Sequence, residues 1–161
     1  MRNPKEVYCE HCDDIVVGYT TKKIKRTLTV GAKTDRPATF ETEYIVAYCP
    51  ICGGEVWPNA VAKQNEITVY NHYKKAVGLL TTDEIKAIRK KRGLSQVQLA
   101  QLIHCGEKNI ARYENGGIQD KVFDLLIRLV DNDETYKILK SMEHTYDTNK
   151  THTQPNSISN Q

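Results

Sequence analysis

The sequence predicts an α+β protein: a small β-rich, metal-binding module followed by an all-α domain of five helices. Three observations predict it. Four of the five cysteines fall in two pairs, Cys9-x-x-Cys12 and Cys49-x-x-Cys52. The 36 residues between the pairs are rich in β-branched and aromatic side chains, which suit a pleated surface. Beyond about residue 80 the apolar residues recur at helical spacing, broken by Gly and Asn-Gly stops.

The module is expected to cover residues 1–60. Each Cys-x-x-Cys turn can aim two thiolates at one point, and two turns complete a tetrahedron of sulfurs. In a chain without secretory features this spacing reads as a zinc site rather than as disulfides. One structural Zn²⁺ per chain is expected on Cys9, Cys12, Cys49 and Cys52, with no open ligand position and so no catalytic role. A Cys₃His variant through His11 would leave one thiolate unused. No βαβ pattern surrounds either pair, as a thioredoxin-like role would require. Gly53-Gly54 lets backbone N–H groups turn toward the sulfurs. Residues 15–30 and 38–48 read as two or three antiparallel strands around a loop from Gly31 to Pro37, with Phe40, Tyr44, Val46 and Tyr48 on one face. A unit of roughly 60 residues is marginal alone, so the metal would be a folding ligand. Cys105 reads as a small buried apolar residue.

Residues 61–80 read as a linking helix, with Val61, Ile67, Tyr70, Tyr73 and Val77 at helical spacing and Gly78 as its stop. The helical domain is expected over 81–145. Thr81-Thr82 caps the next helix, which buries Ile85 and Ile88. Ser95 caps a short helix that buries Leu99, Ala100, Leu102 and Ile103. Gly106 then permits a tight turn into a helix from about Glu107 to Tyr113, burying Ile110 and Ala111. Asp120 opens a helix with Val122, Leu125, Leu126 and Leu129 on one face. The last helix presents Tyr136, Ile138, Leu139 and Met142. From 146 to 161 the chain is polar and free of core residues, and is expected to be disordered.

Two short helices joined by a tight turn make a helix-turn-helix, whose second helix can enter the DNA major groove. Its outward residues here are Glu107, Lys108, Asn109 and Arg112. Arg and Lys suit guanine O6/N7, Asn suits adenine N6/N7, and Glu accepts from cytosine. Ser95 and Gln96, at the start of the first motif helix, complete the candidate DNA contacts. Leu-Ser-Gln-x-x-Leu-Ala over 94–100, followed by Ile-Ala-Arg-Tyr-Glu-Asn-Gly over 110–116, resembles the Xre/Cro-type helix-turn-helix. That resemblance implies an ion pair between Arg89 and Glu114.

A tetracysteine module ahead of such a domain is similar to the MqsA/YgiT-type antitoxin family over about residues 5–145. The resemblance implies a zinc-binding N-terminal domain that holds a toxin and a C-terminal domain that dimerises on its operator. The family's zinc ligands fall on the four paired cysteines. Its base-contacting Arg falls on Arg112, but its Asn falls on Lys108, with Asn109 one place later, so base preference does not transfer. The cysteine pairs also stand further apart here.

The expected function is therefore that of a type II antitoxin, binding its toxin through the zinc module and repressing its own operon through the helix-turn-helix. The alternative is a stand-alone Xre/Cro-type regulator whose zinc module binds another molecule. Double-stranded DNA with a palindromic operator, a cognate toxin and a second copy of the chain are the expected partners. An enzyme is not expected, since no nucleophile–base set, phosphate loop or isolated carboxylate pair is present. No apolar run approaches the ~20 residues of a membrane span, and residues 1–12 lack a leader's apolar core, so a cytoplasmic site is expected. The net charge of +3 is a weak pointer to nucleic acid, but basic residues gather with the motif: residues 81–130 hold nine Lys/Arg against six Asp/Glu.

Overall fold

The computed structural model describes residues 6–148. Small antiparallel sheets are followed by six helices, the linking helix and five more. Strands β1 (Glu6–Cys9) and β2 (Asp14–Val17) form one hairpin. Strands β3 (Thr20–Val30), β4 (Ala38–Tyr48) and β5 (Glu55–Val56) form a second sheet in the order β3-β4-β5. The stretch read as one strand from residue 15 is broken at Gly18, whose φ of 87° takes the chain out of the first sheet and into the second.

Alternation along β4 gives it two working faces. Thr42 and Val46 are buried on one, where Phe40 stacks on His72 with ring centroids 5.9 Å apart. Ala47 joins Val7, Cys9, Val16, Cys49, Val56 and Val61 in the small core beneath the cysteines, with Ile45 packed against it.

Helix α1 (Asn59–Ala76) packs on β4 and on the helical domain. Toward the sheet, the Asn65 carboxamide accepts from Ile45 N–H and donates to Ile45 C=O, both at 2.8 Å. It completes a strand peptide that β5 is too short to reach. Toward the helices, Asn71 Oδ1 accepts from Thr82 N–H at 3.0 Å. The fully buried Lys74 ammonium points at Thr82 Oγ1 and the Tyr113 carbonyl, 3.4 and 3.5 Å away. Gly116, at φ 102°, lies so close that a Cβ would stand 2.9 Å from Ile67 Cγ1. The connection after α1 is also held: Asp124 accepts from Leu80 N–H, Gln119 donates to Leu80 C=O, and Arg128 donates to Gly78 C=O.

The helical domain comprises α2 (Thr82–Lys91), α3 (Gln96–Leu102), α4 (Glu107–Glu114), α5 (Lys121–Asp131) and α6 (Asp133–Thr148). Thr81 and Ser95 each close a capping box, with Glu84 and Gln98. The core holds Ile85, Leu99, Ile110, Tyr113, Ile127 and Val130. Each fully buried aliphatic side chain contributes about 1.5–3 kcal/mol relative to exposure.

Four readings of this domain differ from the structure. The tight turn between α3 and α4 draws its left-handed residue from His104, at φ 52°, while Gly106 has an ordinary φ of −59°. Helix α4 buries Tyr113 with Ile110, leaving Ala111 half-buried. Helix α5 turns Phe123, Leu126, Ile127 and Val130 inward, so Val122, Leu125 and Leu129 face outward, as do Ile138 and Met142 of α6. Helix α6 runs through Thr148, past the expected start of a disordered tail at 146. Residues 149–161 of that tail lie outside the described residues.

Candidate metal centre and helix-turn-helix face

The four paired cysteines converge. Cys9 and Cys12 ride on the β1–β2 hairpin, and Cys49 and Cys52 on the turn between β4 and β5. The two turns are built alike: the residue after the second cysteine is left-handed in each, Asp13 at φ 50° and Gly53 at φ 71°. Tyr8 OH donates to Asp13 Oδ1 beside the first turn. Gly53 N–H donates to Cys49 C=O, and Cys49 N–H to Gly54 C=O, closing the second.

The sulfurs of Cys9 and Cys52 are 3.6 Å apart, those of Cys12 and Cys49 3.9 Å, and all four lie within 4.8 Å of one another. A tetrahedral site with metal–sulfur bonds of ~2.3 Å has sulfurs about 3.8 Å apart. The cluster therefore fits a tetrahedral thiolate-bound ion with little adjustment. Backbone N–H groups of Ile51 and Gly54 lie 3.4 Å from the sulfurs of Cys49 and Cys52. The sulfur of Cys52, burial and the other two sulfurs push the Cys12 thiol up to about 12. The backbone N–H of Cys52, helped by that of Ile51, holds Cys49 down to about 7 despite burial. Four crowded thiolates repel one another, and a cation at their centre removes the conflict. His11 is exposed and is not one of the converging group.

Helices α3 and α4, the candidate helix-turn-helix, rest on an ion pair at their back. Arg89 of α2 donates from Nε and Nη2 to the two oxygens of Glu114, at 2.6 and 2.9 Å, and from Nη1 to Leu94 C=O. Gln96 Nε2 donates to the same carboxylate at 2.8 Å. The pairing implied by the resemblance is present, and it pins the end of α4 to α2 and to the start of α3. Gln96, expected among the DNA contacts, is half-buried in this network. Ser95 is exposed and spends its hydroxyl on Gln98 N–H.

Of the recognition-helix candidates, Glu107, Lys108 and Arg112 are exposed and Asn109 is half-buried. Lys108 and Arg112 stand one turn apart on a single stripe. The Arg112 guanidinium lies 5.0 Å from the centroid of the Tyr113 ring. The basic run after Arg89 is largely committed inside the domain. Lys91 pairs with Asp131 at 2.7 Å. Arg92 pairs with Asp133 at 2.6 Å and lies over the Tyr136 ring. Lys90 is exposed. Sequence reasoning had no signal for these partners, which lie about 40 residues away.

A family model describing the antitoxin component of a bacterial toxin–antitoxin system, MqsA, matches residues 9–142. The matched span starts at Cys9 and ends within α6, so it takes in both the cysteine cluster and helices α3 and α4. No curated protein matches the chain.

Proposed function

This chain belongs to the MqsA antitoxin family, and from that premise we propose that it is a cytoplasmic type II antitoxin that holds its toxin through the metal module and represses its own operon. The proposed metal is one structural Zn²⁺ on Cys9, Cys12, Cys49 and Cys52. Zinc suits four thiolates in tetrahedral array, and with every position filled by sulfur there is no room for a reacting water.

The observation that carries the DNA-binding part is the clamp of Arg89 and Gln96 on Glu114. It fixes α4 with Lys108 and Arg112 turned outward. In this reading Arg112 reads a base, Lys108 and Glu107 reach base edges or phosphates, and Asn109, Ser95 and Gln96 support the docking. One such helix covers only a few base pairs, so the active form is a homodimer on a palindromic operator, with half-sites about one helical turn apart. The outward residues Val122, Leu125, Leu129, Ile138 and Met142 supply an apolar face for the second copy.

The test uses the purified, metal-loaded chain and DNA from upstream of its own gene. Saturable binding to that DNA, with a two-fold symmetric footprint, is the expected result, together with rescue of cells from the toxin encoded beside it. Binding no tighter than to random duplex would defeat the repressor part; failure to rescue would defeat the antitoxin part.

A further inference from the structure

The β1–β2 hairpin is apolar on both of its faces. Alternation sends Val7, Cys9 and Val16 into the small core beneath the cysteines. The register sets Tyr8 opposite Ile15 and Glu6 opposite Val17, so these four side chains share the outer face. There Tyr8 is 53% exposed, Ile15 55% and Val17 65%. An antiparallel sheet with one face in a core ordinarily turns polar side chains outward on the other. Beside Tyr8 and Ile15 lies a hollow of about 180 Å³, bounded also by Glu6 and Val7.

This face is held in shape. Cys9 and Cys12 tie its turn into the sulfur cluster, and Tyr8 OH donates to Asp13 Oδ1 across the same turn. A two-stranded hairpin alone is marginal in water, so the cluster fixes the surface before a partner arrives.

The charges around it have one sign. Glu6, Glu10, Asp13 and Asp14 are all exposed, and residues 6–17 contain no Lys or Arg. Over residues 1–17 these four acids stand against Arg2 and Lys5, a net of −2 in a chain of net +3. Among the described residues none of the four makes an ion pair. On the neighbouring sheet, by contrast, Glu43 and Glu41 are each met by a lysine at 3.0 Å.

We infer that the outer face of β1–β2 is where the toxin docks, and that the toxin offers it an apolar patch ringed by Arg or Lys. The inference rests on the antitoxin reading above. Charge decides the occupant. A second copy of the chain would set acids against acids, and DNA phosphates would be repelled in the same way. A basic protein is drawn in, and Tyr8, Ile15 and Val17 give it a surface from which water is excluded. The hollow suits one arginine of that protein: Glu6 offers a carboxylate to the guanidinium, and Tyr8 offers a ring for its plane to lie against. None of these residues belongs to α4, so toxin and operator are met by different parts of the chain.

The experiment uses the full-length, zinc-loaded chain and the purified protein encoded beside its gene, with association and dissociation followed by biolayer interferometry. Wild type should bind, and its association should slow as salt rises. Ile15→Ser should speed dissociation about tenfold or more with little change in association. Glu6→Lys should instead slow association about fivefold or more. Both variants should keep their zinc and their melting curve, since neither side chain enters the core. If Ile15→Ser loses either, Val17→Ser repeats the test at the most exposed of the three apolar positions. Wild-type dissociation in the folded apolar variants, or wild-type association in Glu6→Lys, overturns the inference and leaves the antitoxin reading standing. A wild-type chain that does not bind its neighbour overturns both.

Discussion

Arg89 grips Glu114 at two points across a gap of 25 residues, and the two side chains keep only 14% and 4% of their exposure. The guanidinium matches the carboxylate in plane and spacing, so both charges are met where water has been removed. Arg89→Ala strands Glu114 with Gln96 as its remaining side-chain partner. Losing one member of a pair this buried should cost about 3–5 kcal/mol, read as a lower urea midpoint of the helical circular dichroism signal. A change below ~1 kcal/mol would mean that the end of α4 is held by its apolar contacts alone.

The same pair sets an acid limit. Burial pushes the Glu114 carboxyl up, but the bonds from Arg89 and Gln96 outweigh it and leave it below the ordinary value of 4.5. A depressed carboxylate contributes stability above its unfolded value and loses it as pH falls through the folded one. Stability should therefore decline as pH drops below about 4.5. Glu114→Gln, less stable at pH 7, should show a shallower decline over that window. Parallel slopes in the two proteins would remove Glu114 from the acid response.

Cys49→Ser should release the metal and melt the sheets around it, since the core there is only a few side chains deep. The larger core of α2 to α6 stands apart and should remain folded. Elemental analysis should give one zinc per wild-type chain and none in the variant, and amide NMR should show which residues lose dispersion. An ordered sheet in metal-free protein would contradict the structural role.

Arg112 and Lys90 should behave differently on DNA. Arg112→Ala should flatten base preference at one position of each half-site, a loss of about 1–3 kcal/mol for the cognate base. Lys90→Ala should weaken every sequence alike and lower the salt slope by about 1 per chain. Lys91 is tied to Asp131 and is the poorer choice for a phosphate contact. A panel of single-base operator variants measured by fluorescence anisotropy separates the cases. Uniform weakening by Arg112→Ala across the panel would assign Arg112 to the backbone.

Leu125 is 57% exposed on the outward side of α5. Leu125→Glu places a charge in the proposed dimer face without touching the domain core. Sedimentation equilibrium should show a monomer with an unchanged melting curve and much weaker operator binding. A variant that still dimerises would place the interface elsewhere.

The convergence of the four cysteines was legible because ligation depends on residue type and short spacing, and both are written in the two Cys-x-x-Cys turns. The strand pair and the caps at Thr81 and Ser95 were legible for the same reason: local chemistry specifies them. Helix α5 was not, because apolar side chains nearly encircle it, and periodicity cannot say which stripe meets the core. Tyr113 was passed over for Ala111, although the larger side chain fills the core. Asn65 gave no signal at all, since its role is to complete a peptide of β4, which only the folded chain brings near.

Helix α1 is engaged on two sides, while Lys63, Glu66 and Lys75 face solvent. It completes the Ile45 peptide, covers Thr82 and the Tyr113 carbonyl, and accepts Gly116 against Ile67. A protease that cut within 59–80 would therefore remove contacts from both halves in one event. The N-terminal piece would be left with a bare sheet edge, which invites aggregation. The C-terminal piece would lose the cover over the end of its own α4. Each piece would then be less stable than the same residues in the uncut chain, although the core of α2 to α6 is made without α1.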